Sequence, residues 1–351
     1  MKYRKLGHSE LMVSEVCLGS MTWGMQNSQK EAFKQIDYAL AQGINFVDTA
    51  ELYAVPPSED TYGKTEQIIG NWIAKNSQRR EEVILASKIV GSGLPWIRGG
   101  SKISGETIKV ALDASLKRLQ TDYIDLYQLH WPNRSNPHFG RHWPNSIDYT
   151  SINVAQEQAE HLQILSALDE CVQAGKIRYC GLSNDTPWGI HEYIRLAEAH
   201  NLPRMVSIQN EFSLLHLMAD APHIIETCIM NDIAYLPWSP LGGGVLSGKY
   251  RHGARPEGSR WNINQRLGLF RDTPQVHAMI EALYQVASQN NLSLTEMSLA
   301  YVNQYPSVTS TIVGATNLGQ LEENIKAFNV HLSESVIAQI NEVIKAYPMP
   351  F

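Results

Sequence analysis

Eight short runs of strand-forming residues, each followed by a stretch of helical periodicity or a long connection, constrain this chain more than any other feature. The runs are VCLGS (16–20), INFVD (44–48), EVILAS (82–87), YIDLYQLH (123–130), IRYCGLS (177–183), MVSIQN (205–210), IAYLPWS (233–239) and STIVGA (310–315). Among the intervening stretches are EAFKQIDYALAQG (31–43), TEQIIGNWIAKN (65–76), TIKVALDASLKRLQ (107–120), AEHLQILSALDECVQAG (159–175) and HEYIRLAEAHN (191–201). Their apolar residues recur every three or four positions, the spacing of one helix face. Strands alternating with helices argue for a parallel sheet covered by helices. An open nucleotide-binding sheet would run its first strand into GxGxxG, whereas here it runs into GSMTWG. No linker rich in Pro, Gly and Ser divides the chain. The alternation therefore predicts an α/β fold, a single (β/α)8 TIM-barrel domain over residues 1–351. A β-hairpin is expected near KYRKLGHSELMVS, and an outer helix in LSESVIAQINEVIKAY (332–347).

With 351 residues, 43% of them apolar, the chain can bury a large core. Its net charge of -6 is spread over interspersed signs, so no basic surface invites nucleic acid or an anionic membrane. A small-molecule partner is expected, and nothing in the sequence specifies an oligomeric state. The N-terminal segment lacks the apolar core of a secretory signal, and no stretch approaches the roughly 20 apolar residues that cross a bilayer. Cys17, Cys171, Cys180 and Cys228 are far apart and form no CxxC pair. They read as small buried apolar groups with no metal role. A cytoplasmic enzyme is the expectation.

Three connections exceed the usual length: 91–105, 132–154 and 242–268. Each follows a predicted strand and so belongs to the strand C-terminal face, where barrel enzymes assemble their sites. Asp48 ends the second run, Lys88 follows the third, His130 ends the fourth, and Tyr53 lies five residues beyond Asp48. Each has an ordinary alternative role: a helix cap, half of a structural salt bridge, a core histidine, a half-buried aromatic. Four ionisable groups converging on one barrel mouth favour chemistry over packing. A hydrolase or isomerase would instead call for paired carboxylates or metal-ligand histidines at strand ends, which these strands do not supply.

The stretches RKLGHSELMVSEVCLGSMTWG, DTAELY, LASK, DYIDLYQLHWP, GKIRYCGLSN, IQNEFSLL, WSPLGGGVLSGKY and VGATNLGQLEENI carry a resemblance in fixed order over nearly the whole chain. The chain resembles the aldo-keto reductases, nearest to their longer bacterial members and to the potassium-channel β subunits related to them. The resemblance implies NADP(H)-dependent reduction of an aldehyde or ketone, with Asp48, Tyr53, Lys88 and His130 as the catalytic group. Tyr53 would supply the proton, and Lys88 would lower the phenol's pKa. Asp48 would hold the ammonium, and His130 would orient the substrate oxygen. The channel β subunits carry Asn in place of His130, so His130 favours turnover over a regulatory or scaffold role.

The same resemblance implies a cofactor site. Ser20, Met21 and Asp48 would border it, and Ser183, Asn184 and Gln209 would hydrogen-bond the nicotinamide amide. Trp238 would stack on the nicotinamide ring. Ser239, Pro240, Leu241, Gly242 and Gly243 would form the pyrophosphate turn, with Lys249 adding positive charge. Gly314, Thr316, Gln320, Glu323 and Asn324 would sit at the adenosine end, with Thr316 and Arg260 on a 2′-phosphate. No Lys or Arg lies between Gly314 and Asn324, so Arg260 must supply that charge. Trp23, Trp96 and Trp131 are candidates for an aromatic substrate wall, as are Trp143 and Trp188. Arg98, Lys102, Arg134 and Arg141 could hold a substrate carboxylate or phosphate, but read more readily as solvated surface charges.

Overall fold

The computed structural model describes residues 1–263 and 266–351. An antiparallel hairpin, β1 (Tyr3–Lys5) and β2 (Met12–Ser14), comes first, where it was expected. All eight predicted barrel strands follow: β3 (Val16–Gly19), β4 (Phe46–Asp48), β5 (Ile84–Ile89), β6 (Ile124–Leu129), β7 (Ile177–Ser183), β8 (Met205–Gln209), β9 (Ala234–Tyr235) and β10 (Thr311–Val313). They pair in parallel in the order β10-β3-β4-β5-β6-β7-β8-β9. The two ends of that sheet meet. Thr309 N–H donates to Tyr235 O at 2.9 Å and Ile312 N–H donates to Pro237 O at 2.9 Å, closing the barrel. β9 is shorter than its sequence run because Pro237 has no N–H to give a neighbouring strand. Beyond it Trp238 still bridges to Glu211.

The helices are α1 (Gln29–Ala41), α2 (Lys64–Lys75), α3 (Gly105–Leu119), α4 (Val154–Gln173), α5 (Pro187–His200), α6 (Leu217–Asn231), the one-turn α7 (Arg266–Leu269), α8 (Pro274–Gln289), α9 (Leu294–Gln304), α10 (Leu318–Ala327) and α11 (Glu334–Ala346). Local chemistry sets many of their starts. Ser28 with Glu31, Ser104 with Thr107 and Ser293 with Glu296 form reciprocal caps for α1, α3 and α9. Thr273 caps α8, and Pro274 fits its first turn. The outer helix α11 packs on α8. Among the described residues no helix is long and apolar enough to cross a membrane.

Two apolar layers hold the barrel. Inside it, Cys17, Phe46, Ile84, Ala86, Leu126, Val206 and Ala234 pack against Leu6, Leu11 and Val13 of the hairpin, which plugs one end. Outside it, alternate strand residues such as Leu18, Val47, Leu85 and Tyr127 meet helix residues such as Trp72, Leu112 and Leu168. The four cysteines are buried. Trp23 belongs to the outer layer rather than to a substrate wall. It is fully buried, and its Nε1–H donates to Gln35 Oε1 at 3.0 Å. The expectation of a pocket tryptophan fails because the chain turns back after Ser20 and carries this ring beneath α1. Trp23→Ala should therefore cost about 3–5 kcal/mol in urea unfolding, as large-to-small core changes do. A variant as stable as the wild type would contradict this placement.

Candidate active site

β4 ends at Asp48, while β5 beside it and β6 beyond run on to Ile89 and Leu129. Lys88 sits beside Gln128 in the ladder and projects over the end of β4. Its fully buried Nζ donates to Asp48 Oδ2 at 2.7 Å, to Thr49 O at 2.8 Å and to Tyr53 Oη at 3.4 Å. The other Asp48 oxygen accepts from Gln209 Nε2 at 2.9 Å and Gln128 Nε2 at 3.3 Å. His130 follows β6, its N–H bonded to Ile89 O at 2.9 Å, and its ring meets Tyr53 edge-on with centroids 5.9 Å apart. The four candidate residues thus lie together at one mouth of the barrel.

Their electrostatics differ in one respect from expectation. Burial pulls Lys88 down, but the Asp48 carboxylate and the Tyr53 phenol outweigh it, so its pKa is raised and the ammonium is kept. For Tyr53, burial pushes upward more strongly than Lys88 pulls downward, and the phenol titrates above its ordinary value. The expected lowering by Lys88 is present but loses to desolvation. Tyr53 is consequently a protonated acid at neutral pH, with a cation placed where phenolate charge would develop. Burial, then Lys88, push His130 well below the usual histidine range, so its imidazole is neutral. Its Nδ1 is buried without a hydrogen-bond partner among the described residues.

The residues assigned to nicotinamide form one network beside this group. Ser183 Oγ donates to Gln209 O at 2.8 Å, and Asn184 Nδ2 donates to His130 O at 2.9 Å and Ser183 Oγ at 3.0 Å. Trp238 Nε1–H donates to Asn184 Oδ1 at 3.2 Å. Gln209 turns its amide onto Asp48 and so touches the ion pair directly. Ser20 Oγ donates to Asp48 O at 2.7 Å, and Met21 Sδ lies 3.5 Å from Arg260 Nη2.

The glycine turn has the geometry a phosphate needs. After Ser239, Pro240 and Leu241, the residues Gly242, Gly243 and Gly244 take φ of 56°, 71° and 95°, which side chains disfavour. A Cβ on Gly243 would lie 3.3 Å from Arg260 Nη1, and one on Gly244 would lie 2.7 Å from Lys249 Nζ. Neither cation has a carboxylate partner among the described residues. Burial and the neighbouring Arg260 hold Lys249 below its usual pKa, a crowding of positive charge that an anion would relieve. The cradle fits the phosphates of a dinucleotide. Thr316 Oγ1 donates to Gln320 Oε1 at 3.0 Å at the head of α10, and Asn324 Nδ2 donates to Gly314 O at 3.4 Å. Glu323 is exposed there. Arg260 packs on Gly243 and Met21, at the glycine turn.

On the substrate side, Trp131 packs 4.9 Å from His130 and edge-on to Phe139, which stacks on Trp238 at 6.2 Å. Phe139, in the long connection after β6, carried no periodic signal that sequence reasoning could use. Trp96, Trp143 and Trp188 are exposed. Two of the expected surface charges are instead partly buried and paired with buried carboxylates. Arg134 pairs with Asp185, and Arg98 grips Glu51 through two 2.7 Å bonds. Lys102 pairs at the surface with Glu160, and Arg141 is exposed. Glu51, inside DTAELY, was passed over because nothing in a sequence marks a carboxylate as fully buried.

The neutral His130 has a consequence for stability. An unfolded chain takes up the proton near pH 6.5, whereas the folded imidazole resists it. The unfolded state then binds more protons, so stability falls as pH drops below about 6.5. Melting temperatures of His130→Asn should fall less steeply than those of the wild type across that acid range. Parallel declines would contradict a buried neutral imidazole.

The comparisons with known proteins point to one family. Residues 15–345 match the model of the Aldo/keto reductase family. "Protein tas" of Escherichia coli (strain K12) is 42% identical, over 100% of this chain and 99% of that protein. "Uncharacterized oxidoreductase YrpG" of Bacillus subtilis (strain 168) is 31% identical, over 98% of this chain and 96% of that protein. A "Probable voltage-gated potassium channel subunit beta" of Arabidopsis thaliana is 30% identical, over 99% and 98%. With its barrel, its strand-end residues and a family match over nearly its whole length, the chain belongs to the aldo/keto reductase family of oxidoreductases.

Proposed function

We propose that the protein reduces an aldehyde or ketone to the alcohol with NADPH, and that Tyr53 supplies the proton. The observation that carries this reading is the fully buried Lys88 ammonium, 2.7 Å from Asp48 and 3.4 Å from the Tyr53 hydroxyl. The Gly242–Gly244 turn with Lys249 and Arg260 would hold the pyrophosphate, and Trp238 would lie against the nicotinamide. When bound, the reduced nicotinamide supplies a hydride to the carbonyl carbon.

The chain's own residues handle the oxygen. Neutral His130 donates a hydrogen bond to the carbonyl oxygen and orients it without competing for the proton. Tyr53, kept protonated by burial, releases its proton to the developing alkoxide. The phenolate left behind is stabilised by Lys88, whose attraction at ion-pair distance is worth about 4 kcal/mol in a protein environment. Asp48 keeps the ammonium charged and aimed. Lys88 therefore acts mainly on the charge that appears during reaction rather than on the resting phenol. Trp131 and Phe139 would favour an apolar or aromatic carbonyl compound.

The likeness to a potassium-channel subunit motivates a second reading, a cofactor-binding regulatory protein with little turnover. Turnover of simple aldehydes separates the two. Tyr53→Phe should lose about 10²- to 10⁴-fold in kcat while binding NADPH as the wild type does. A Phe variant that reduces aldehydes as fast as the wild type would remove Tyr53 from the role of acid. In fluorescence titrations NADPH should bind more tightly than NADH, and Arg260→Ala, which removes a pyrophosphate contact, should weaken both. Equal affinity for both cofactors in the wild type would overturn the NADP preference.

A further inference from the structure

Two residues before Tyr53, Glu51 is fully buried and every acceptor position of its carboxylate is filled. Oε1 accepts from Val90 N at 2.7 Å and Arg98 Nη2 at 2.7 Å. Oε2 accepts from Arg98 Nη1 at 2.7 Å and Tyr62 Oη at 3.1 Å. A carboxylate offers about four lone-pair sites, so none is left for a substrate. The backbone of Glu51 is engaged as well. Its N–H donates to Lys88 O at 3.2 Å, and its carbonyl accepts from Gly63 N at 2.9 Å. One residue thus ties the connection after β4 to the end of β5 and, through Arg98, to the long 91–105 connection.

The same segments meet in apolar contact. Ala50, Leu52, Val90 and Ile97 form a small buried cluster on which Tyr53, Tyr62, Leu94 and Trp131 pack. Leu94, Ile97 and Arg98 all come from the 91–105 connection, so that connection forms part of the wall around the Tyr53 ring. Arg98 adopts φ of 47° and is followed by Gly99 and Gly100 at 66° and 76°, a tight turn from which its guanidinium reaches back to Glu51 and Val90 O. Its side chain is 15% exposed, against 0% for Glu51.

We propose that Arg98 is a positioning residue: by holding the buried Glu51 carboxylate, it fixes the turn that sets the Tyr53 hydroxyl beside Lys88. This rests on the reading of Tyr53 as the proton donor. The planar guanidinium matches both carboxylate oxygens at once, which a lysine cannot do. Removing it leaves a buried charge uncompensated, and the segment must move to reach solvent. Tyr53, on that segment, moves with it. A displacement of about 1 Å at a reacting group can cost on the order of 100-fold in rate. The glycine turn and Lys249 belong to the connection after β9, not to this segment.

The test compares wild type, Arg98→Met, Arg98→Lys and Tyr53→Phe as full-length proteins. Turnover of nitrobenzaldehyde with NADPH, NADPH affinity by fluorescence, and melting temperature are measured for each. Arg98→Met should lose about 10- to 100-fold in kcat with NADPH affinity retained, and Arg98→Lys should recover part of the loss. If Arg98→Met does not fold, Glu51→Gln/Arg98→Met, which removes both charges, takes its place with the same expected loss. Wild-type kcat in these variants, or a loss shared equally by kcat, NADPH affinity and melting temperature, would overturn the proposal. A Tyr53→Phe enzyme as active as the wild type would overturn the underlying reading instead, and the positioning role with it.

Discussion

A single buried ammonium organises the mouth of this barrel. Lys88 has no access to solvent, so its charge persists only because Asp48, Thr49 O and Tyr53 surround it. Breaking such a pair from one side typically costs about 3–5 kcal/mol, since the remaining charge stays desolvated. Asp48 is in turn held by Gln128 of β6 and Gln209 of β8. The pair therefore links β4, β5, β6 and β8 across the barrel opening, and the position of Tyr53 follows from that network. Low polarity around the phenol is the other half of the arrangement. It holds the proton on Tyr53 until charge develops on the substrate, and only then does the ammonium contribute fully.

Around this centre, the connections are fastened by buried charge rather than by apolar packing alone. Arg98 grips Glu51, Arg118 reaches Glu66 at 2.7 Å, Arg134 pairs with Asp185 and Arg271 pairs with Glu211. Arg98, Arg134 and Arg271 each reach a carboxylate just beyond a strand end, while Arg118 joins α3 to α2. At the opposite end the hairpin closes the barrel with Leu6, Leu11 and Val13. One end is thus sealed by apolar residues, while the other carries oriented polar groups that a ligand can reach.

Much of this was legible in the sequence because it depends on period and order. Strand runs such as IDLYQL and helix faces such as α3 follow from alternation and three-to-four spacing, and the parallel order follows from the intervening helices. Asp48, Lys88 and His130 could be read because they end strands. The helices α8 and α9 were not singled out, although Thr273-Pro274 and Ser293 with Glu296 mark their starts. Properties set by depth were illegible. Trp23 looked like a pocket wall until its burial was known, and Arg98 looked like surface charge until Glu51 was seen opposite it. The upward shift of Tyr53 is of the same kind, since desolvation depends on what packs around the ring.

The three left-handed glycines with Lys249 and Arg260 lie on the β9 side of the barrel, and the Tyr53–Lys88 pair on the β4–β5 side. A dinucleotide lying across the mouth would join them, with Trp238 against its nicotinamide. A crystal structure of the complex with NADPH is the most direct measurement of that arrangement. The account predicts the pyrophosphate on the glycine turn and the reactive carbon of the nicotinamide facing the Tyr53 hydroxyl, with Lys88 still beside it. A dinucleotide bound away from the barrel mouth, or a Tyr53 hydroxyl drawn away from Lys88 in the complex, would contradict it.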